Sequence, residues 1–349
     1  MSSAAPMETD PASLVDRAHG CLLGGLIGDA MGTPSELLEP AEIERRFGWI
    51  DAFEGDGTDD SIMKHLLADA LLASGGEADA DGWAAQWLAH RDQFGGDKAE
   101  RFFASIRHAA AKLAYGVPPR RIALGHMPSS TAAMAIAPVG IVNAGNPRAA
   151  AAQAQEIASL VHVDEAAFCQ DGAAALAAAI AVAMTGAMTG AMTGAAGLDA
   201  AIAAATAHIK PWSGGEMIEL IGAALALAAE TAEYRAFRER YHARFRRAIA
   251  CDARETIPAT FALLRLAGGE PATVVRYAAN FGRDTDTIGC MAGAVAGALA
   301  GAGGFPAAWL ARISGSGARD QLALARALVE TGRAKAQRAR AAWAFLAGE

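Results

Sequence analysis

The sequence predicts an all-α fold, and three observations carry that expectation. Apolar residues recur with helical rather than alternating spacing along most of the chain. Runs of this kind are punctuated by Gly and Pro at intervals of one helix length. No train of alternating strands is present. In order, Leu14–Met31 reads as a glycine-rich apolar helix ending at Gly32-Thr33-Pro34. Thr58-Asp59-Asp60 precedes a helix over Ser61–Ser74, stopped by Gly75-Gly76. Asp81–Arg91 and Asp97–Tyr115 follow, the second closed by Gly116-Val117-Pro118-Pro119. A Gly, Pro and Ser-rich loop (Gly125–Thr131) leads to Ala132–Val142, a Gly145-Asn146-Pro147 turn and Arg148–Val161. Asp171–Thr185, Leu198–His208, Glu216–Ala229, Tyr234–Ala250, Ile257–Ala267 and Pro271–Ala279 continue the pattern, and Asp286–Ala302 and Arg319–Leu346 finish it. With no composition break that would serve as a linker, residues 14–349 read as one domain behind a disordered N-terminal tail, residues 1–13.

Composition bounds the function. Of 349 residues, 53% are hydrophobic, 6% aromatic and 38 are glycine, so a large core of closely packed small side chains is expected rather than disorder. The net charge of −8 is the wrong sign for a protein held to nucleic acid through phosphates. Four widely spaced cysteines without a CxxC pair fit reduced thiols in the cytoplasm better than disulfides or a zinc site. The N-terminus has neither the basic nor the apolar region of a secretory signal. Two charge-free stretches, Gly172–Leu198 and Thr287–Ala311, are rich in Ala and Gly and poor in Leu, Ile and Phe; they read as buried helices and no membrane partner is expected. A tetrapeptide repeated three times, Met184-Thr185-Gly186-Ala187 through Ala195, reads as a local duplication lengthening a helix end, and the arginine-rich stretch Arg312–Arg340 as a solvated helix face.

The carboxylates are the informative feature. Asp59 and Asp60 follow Thr58 at one expected helix start, and Asp284 and Asp286 flank Thr285, with Thr287 next, at another. Helix capping is the alternative reading, since Asp and Thr are favoured caps. Capping accounts for one acid per helix, whereas four acids meeting in space would repel one another unless hard divalent cations such as Mg²⁺ or Mn²⁺ lay between them.

Five segments, in order, resemble the ADP-ribosylglycohydrolase family: Gly20-Cys21-Leu22-Leu23-Gly24-Gly25-Leu26-Ile27-Gly28-Asp29-Ala30-Met31-Gly32-Thr33-Pro34-Ser35-Glu36; Gly57-Thr58-Asp59-Asp60-Ser61; His162-Val163-Asp164 with Asp171-Gly172-Ala173; Glu255-Thr256-Ile257-Pro258-Ala259; and Asn280-Phe281-Gly282-Arg283-Asp284-Thr285-Asp286-Thr287-Ile288. The resemblance implies a compact helical fold around two Mg²⁺ or Mn²⁺ ions, held by Thr58, Asp59, Asp60, Asp284, Asp286 and Thr287. It implies hydrolysis of a ribosyl bond, with an ADP-ribosylated protein or a small ribosyl compound as substrate. Asp59, Asp60 or Glu36 would be the general base. His162 would line the substrate cleft, although the residue alone reads as a core histidine. Asp97 matches an acid of some relatives only loosely, and capping explains it equally. Two departures bear on the substrate side. Where the family has Asn-Gly-Ala-Ala-Met-Arg, this chain has Ser130-Thr131-Ala132-Ala133-Met134-Ala135, which adds a Cβ and removes a guanidinium. The glycine usual before Asp284 is Arg283, either a replacement anion contact or a surface residue. Alternatives to the de-ADP-ribosylating reading are a nucleoside or nucleotide glycosidase with an altered cleft, and a non-catalytic crystallin-like protein.

Overall fold

A computed structural model describes residues 11–186, 194–316 and 318–347 of the chain. Among them are seventeen α-helices and no strand. The helices are α1 (Pro11–Gly32), α2 (Pro40–Phe47), α3 (Asp59–Ala73), α4 (Ala80–Ala89), α5 (Ala104–Ala114), α6 (Thr131–Ala135), α7 (Ala137–Val142), α8 (Pro147–Ala158) and α9 (Phe168–Ala183). They continue as α10 (Gly194–Ala207), α11 (Pro211–Glu230), α12 (Tyr234–Phe245), α13 (Ala253–Leu266), α14 (Pro271–Ala279), α15 (Thr285–Ala300), α16 (Ala307–Gly315) and α17 (Gln321–Ala347). The all-α expectation holds, with local differences that have physical causes. The run read as one helix over Asp97–Tyr115 is a 3₁₀ turn (Gly96–Arg101) and then α5, parted where Phe102 turns inward against Phe94. Ala132–Val142 is two short helices, α6 and α7, because Pro138 lacks the N–H that would continue the first one. The helix expected over Tyr234–Ala250 stops at Phe245. Helices α2 and α16 went unread. Of the tail expected over residues 1–13, the first ten lie outside the described residues, and Pro11–Ser13 begin α1. Residues 187–193 of the tetrapeptide repeat also lie outside them.

The centre of the fold is an antiparallel pair, α1 and α15, and small residues make it possible. Gly20, Gly24 and Gly28 face Gly297, Gly293 and Gly289 in turn, and a methyl group at any of the first three would overlap the opposing backbone. Four-residue spacing on both helices lets the two axes approach along a continuous seam. One end is fastened by Arg17, whose buried guanidinium donates to the carbonyls of Ala298 (3.0 Å) and Leu299 (2.6 Å) at the end of α15 and of Ala183 (3.2 Å) at the end of α9. At the other end Thr285 Oγ1 donates to the Gly32 carbonyl (2.9 Å) and Ser35 Oγ to that of Ala279 (2.6 Å). The last turn of α1 and the first turn of α15 are thereby held together.

Around this pair, α14, α17 and α3 flank α1, while α9 packs against α15 and is wrapped by α6, α7, α8, α10 and α11. The stretch Asp164–Ala183 is long and apolar enough to cross a membrane, and most of it is buried in the protein core. Helix α17 buries Leu324, Ala325, Leu328 and Val329. Cations on it and just before it reach across the surface: Arg319, ahead of the helix, pairs with Asp69, and Lys335 and Arg338 donate to the carbonyls of Gly76 and Gly75.

Candidate functional site

The site grows from Asp29, the only charged residue between His19 and Glu36. It is fully buried on the last turns of α1, opposite the start of α15. Its Oδ1 accepts from Thr58 N–H (2.9 Å) and Thr58 Oγ1 (2.8 Å), and its Oδ2 from Ser61 N–H (3.0 Å) and Ser61 Oγ (2.7 Å). Those amides are the unsatisfied donors at the N-terminus of α3, so Asp29 caps that helix from another helix. Gly57 (φ +91°) makes the approach possible, because a Cβ there would overlap the Asp29 carboxylate. The N-cap residues themselves, Thr58 of α3 and Asp284 of α15, make no side-chain cap bond. Capping by the N-cap residues themselves therefore does not account for Asp59, Asp60, Asp284 and Asp286.

The two clusters meet. Carboxylate oxygens of Asp29, Asp60 and Asp286 lie within 4.8 Å of one another, and so do those of Glu36, Asp284 and Asp286. Hydroxyls cross between the halves: Thr58 Oγ1 lies 3.4 Å from Asp286 Oδ2, and Thr287 Oγ1 lies 3.4 Å from Asp60 Oδ2. Asp59 Oδ2, Asp60 Oδ1 and Asp284 Oδ1 are buried without a hydrogen-bond partner. Burial, reinforced by the neighbouring acids, pushes Asp59, Asp60 and Asp286 well above the usual carboxylate range. Burial and the Glu36 carboxylate push Asp284 up to about 7, against hydrogen bonds that favour its ionised form. Burial also raises Asp29, despite its four donors, and Glu36, which feels Asp29 as well. Five acids this close, with Asp59 next to Asp60 and three orphaned oxygens, suit hard divalent cations by donor type and by charge.

Two contributors were not singled out from the sequence. Asp29 was signalled by being a lone acid inside an apolar glycine helix. Lys64, one turn after Asp60, is wholly buried and its Nζ has no hydrogen-bond partner; its charge favours ionised Asp29.

The expected substrate residues fall in different places. Ser130 precedes α6, and its Oγ lies 3.5 Å from Asp284 Oδ2. Thr131 is buried, its hydroxyl 2.9 Å from that of Ser129. His162 is fully buried, with both ring nitrogens unpartnered. Burial and neighbouring His126 lower its pKa to about 3, and no acid of the centre is among the charges it feels. Asp97 lies in the 3₁₀ turn Gly96–Arg101, and its side chain is outside the described set. Arg283 corrects both sequence readings of it. It is neither a surface residue nor a free anion contact: it is 7% exposed, forms a buried ion pair with Glu255 and donates to the Arg247 carbonyl (2.7 Å). Its backbone is left-handed (φ +69°), the conformation that suits glycine, and it exchanges two main-chain hydrogen bonds with Leu37 and Leu38. Arg283 thus holds the Glu36 loop to the start of α15.

A cleft of about 570 Å³ opens beside the centre. Thr33, Glu36, Leu37, Gly57 and Thr58 line it, together with residues 100–104 and Arg107. Glu36 and Thr58 are the members of the acid centre that line it.

Comparison with known proteins agrees with this architecture. Residues 10–338 match the family model described as ADP-ribosylglycohydrolase. An uncharacterised protein of Escherichia coli (strain K12), YegU, is 28% identical over 307 residues, covering 80% of this chain and 86% of its own. A solved structure described as an ADP-ribosylglycohydrolase-related protein complex shares the fold, with a TM-score of 0.64 and 22% identity over 92% of this chain and 99% of its own. A match over nearly the whole length establishes that the chain belongs to the ADP-ribosylglycohydrolase family, hydrolases of ribosyl glycosidic bonds.

Proposed function

We propose that the chain is a divalent-metal-dependent glycohydrolase that removes ADP-ribose from a modified protein side chain or small acceptor. The observation that carries the metal dependence is the set of buried, unpartnered carboxylate oxygens on Asp59, Asp60 and Asp284 at the meeting of α3 and α15. Thr58, Asp59, Asp60, Asp284, Asp286 and Thr287 would hold two Mg²⁺ or Mn²⁺ ions, an all-oxygen donor set that suits either metal. When bound, the ions would supply positive charge and a template for hydroxyl-bearing substrates.

The remaining work belongs to the chain. A ribosyl bond breaks through an oxocarbenium-like state, with water arriving at the anomeric carbon and giving up a proton. Among Asp59, Asp60 and Glu36, it is Glu36 that lines the cleft, where a substrate can reach it. Its pKa is raised by burial and by Asp29, which makes it a stronger base than an ordinary carboxylate. Asp29 fixes Thr58 and Ser61, and with them the first turn of α3, so Asp59 and Asp60 keep their places. A second reading, a glycosidase for a smaller ribosyl metabolite, is favoured by Thr131 and Ala135, both buried where the family pattern has glycine and arginine. Four buried free thiols support a reducing, cytoplasmic setting.

The test is hydrolysis of ADP-ribosylated side chains and of phosphate-free ribosides with Mg²⁺, with Mn²⁺ and with chelator. Turnover of the ADP-ribosylated substrates with metal, abolished by chelator, is expected. Glu36→Gln should lower turnover at least about 100-fold with Mn²⁺ binding retained. Turnover that survives chelator removes the metal dependence, and turnover confined to phosphate-free ribosides transfers the assignment to the second reading.

A further inference from the structure

The carboxylate half of the cleft explains how a cation and a hydroxyl-bearing sugar could be held, but an anionic substrate would be repelled by six acids. The arginine usual at the end of α6 is Ala135, and the Arg283 guanidinium is committed to Glu255 and the Arg247 carbonyl. The cleft itself carries the missing charge. Arg101 ends the 3₁₀ turn that precedes α5, and Arg107 lies in the first turns of α5; both line the cleft that Glu36 and Thr58 also line. Both are exposed, and neither guanidinium has an ion-pair or hydrogen-bond partner among the described residues. Glu100 lines the cleft too and pairs with neither. Elsewhere arginines near a carboxylate are regularly paired, as Arg45 and Arg46 are with Glu42 and Arg246 with Glu39. Two free guanidinium forks facing a cleft are suited to phosphate oxygens, which they can grip in bidentate fashion.

We propose that Arg101 and Arg107 form an anion subsite that binds the phosphate or pyrophosphate group of the ribosyl substrate, in the cleft beside the acid centre. This rests on the ribosyl-hydrolase reading and selects, between its two substrate readings, the ribose bearing phosphate, with the hydroxyl face turned to α3 and α15 and the phosphate to α5. Phe103, half-buried between the two arginines in sequence, adds an apolar surface in the same cleft.

Calorimetric titration with inorganic pyrophosphate in chelator, and with ADP-ribose plus Mg²⁺, tests it on the full chain and on Arg101→Gln, Arg107→Gln and the double variant. Mn²⁺ titration of each variant checks that the acid centre is intact. Each single change should raise the ADP-ribose Kd about tenfold, the size expected for one charge-assisted contact. The double variant should lose measurable pyrophosphate binding while Mn²⁺ affinity is unchanged. Native affinity for both probes in the double variant overturns the proposal, as does a wild-type chain that binds neither probe yet hydrolyses a phosphate-free riboside. Arginine-dependent pyrophosphate binding in a chain that hydrolyses no ribosyl substrate leaves the subsite standing and removes the hydrolase reading beneath it.

Discussion

Gly289→Ala probes how tightly the acid centre depends on the seam between α1 and α15. A Cβ built at Gly289 stands 2.5 Å from the Gly28 carbonyl oxygen, 2.9 Å from its carbon and 3.2 Å from Cα, all backbone atoms of α1. Ordinary contact begins at 3.4 Å, so the helices must part by about 0.9 Å, and no side-chain rotation can absorb it. Overpacking of this kind costs about 1–3 kcal/mol, and alanine returns about 1 kcal/mol of helix propensity, leaving a net loss of up to about 2 kcal/mol. For a chain of 349 residues that is a fall in Tm of up to about 3 °C. The functional effect should be larger, because Asp29 follows Gly28 and Asp286 lies one turn before Gly289; a shift approaching 1 Å costs roughly tenfold to a hundredfold in turnover. Gly222→Ala is the control. It is an exposed interior position of α11 with no atom within 4 Å of the added methyl, and should stabilise by about 0.5–1 kcal/mol. Melting curves and Mn²⁺ titrations of both variants decide the matter. If Gly289→Ala melts with Gly222→Ala and keeps native Mn²⁺ affinity, the seam does not set the geometry of the centre.

Asp59→Asn and Asp286→Asn should each lower Mn²⁺ affinity and turnover at least about tenfold while the helical circular-dichroism spectrum is kept, since neither residue caps its helix; unchanged Mn²⁺ affinity in both would remove them as ligands. Chelator should lower Tm, and by more at pH 8 than at pH 5. The acids have native pKa values above their ordinary value near 4, so without cations their contribution to stability is present below that value and lost as pH rises, through about 7 for Asp284; bound cations cancel the repulsion that appears at high pH, and an equal chelator effect at the two pH values counts against the site. Arg283→Gly relieves a left-handed backbone worth about 1–2 kcal/mol but leaves buried Glu255 without its cation, a loss of about 3–5 kcal/mol, so urea titration should show a net loss of about 1–4 kcal/mol; a gain in stability would mean the ion pair contributes little.

What could be read in advance was what is local. Asp59-Asp60 and Asp284-Thr285-Asp286 announce themselves because adjacent acids at a helix start exceed what capping requires. Helix existence followed from periodicity in the long runs, where apolar positions outnumber breaks. Asp29 was legible only as an oddity, because its work is to cap α3, and that contact joins positions 29 apart with nothing in the spacing to announce it. Arg283 was misread for a related reason. Its partner Glu255 lies 28 positions away, and a positive φ leaves no trace in an arginine codon. Helix α2 was missed although Pro40 at its first turn is a start signal, because eight residues give too little periodicity to recognise. The split between the turn Gly96–Arg101 and α5 depends on Phe102 finding Phe94 across the turn, a packing fact rather than a propensity.

The seam also bears on how the molecule comes into being. Gly32 and Thr285, bonded at the mouth of the centre, are 253 positions apart. Closing so long a loop costs about 3 kcal/mol more in chain entropy than closing one of ten residues, so the pairing must wait until other contacts have shortened the effective distance. A nascent chain emerging from the ribosome carries Asp29, Glu36, Asp59 and Asp60 long before Asp284 and Asp286 exist. Until α15 has been synthesised and has slid into register against α1, the glycine face of α1 has no mate and the acids are an open, hydrated array. The ability to chelate then arrives with the last third of the polypeptide, which ties competence for metal to completion of the fold.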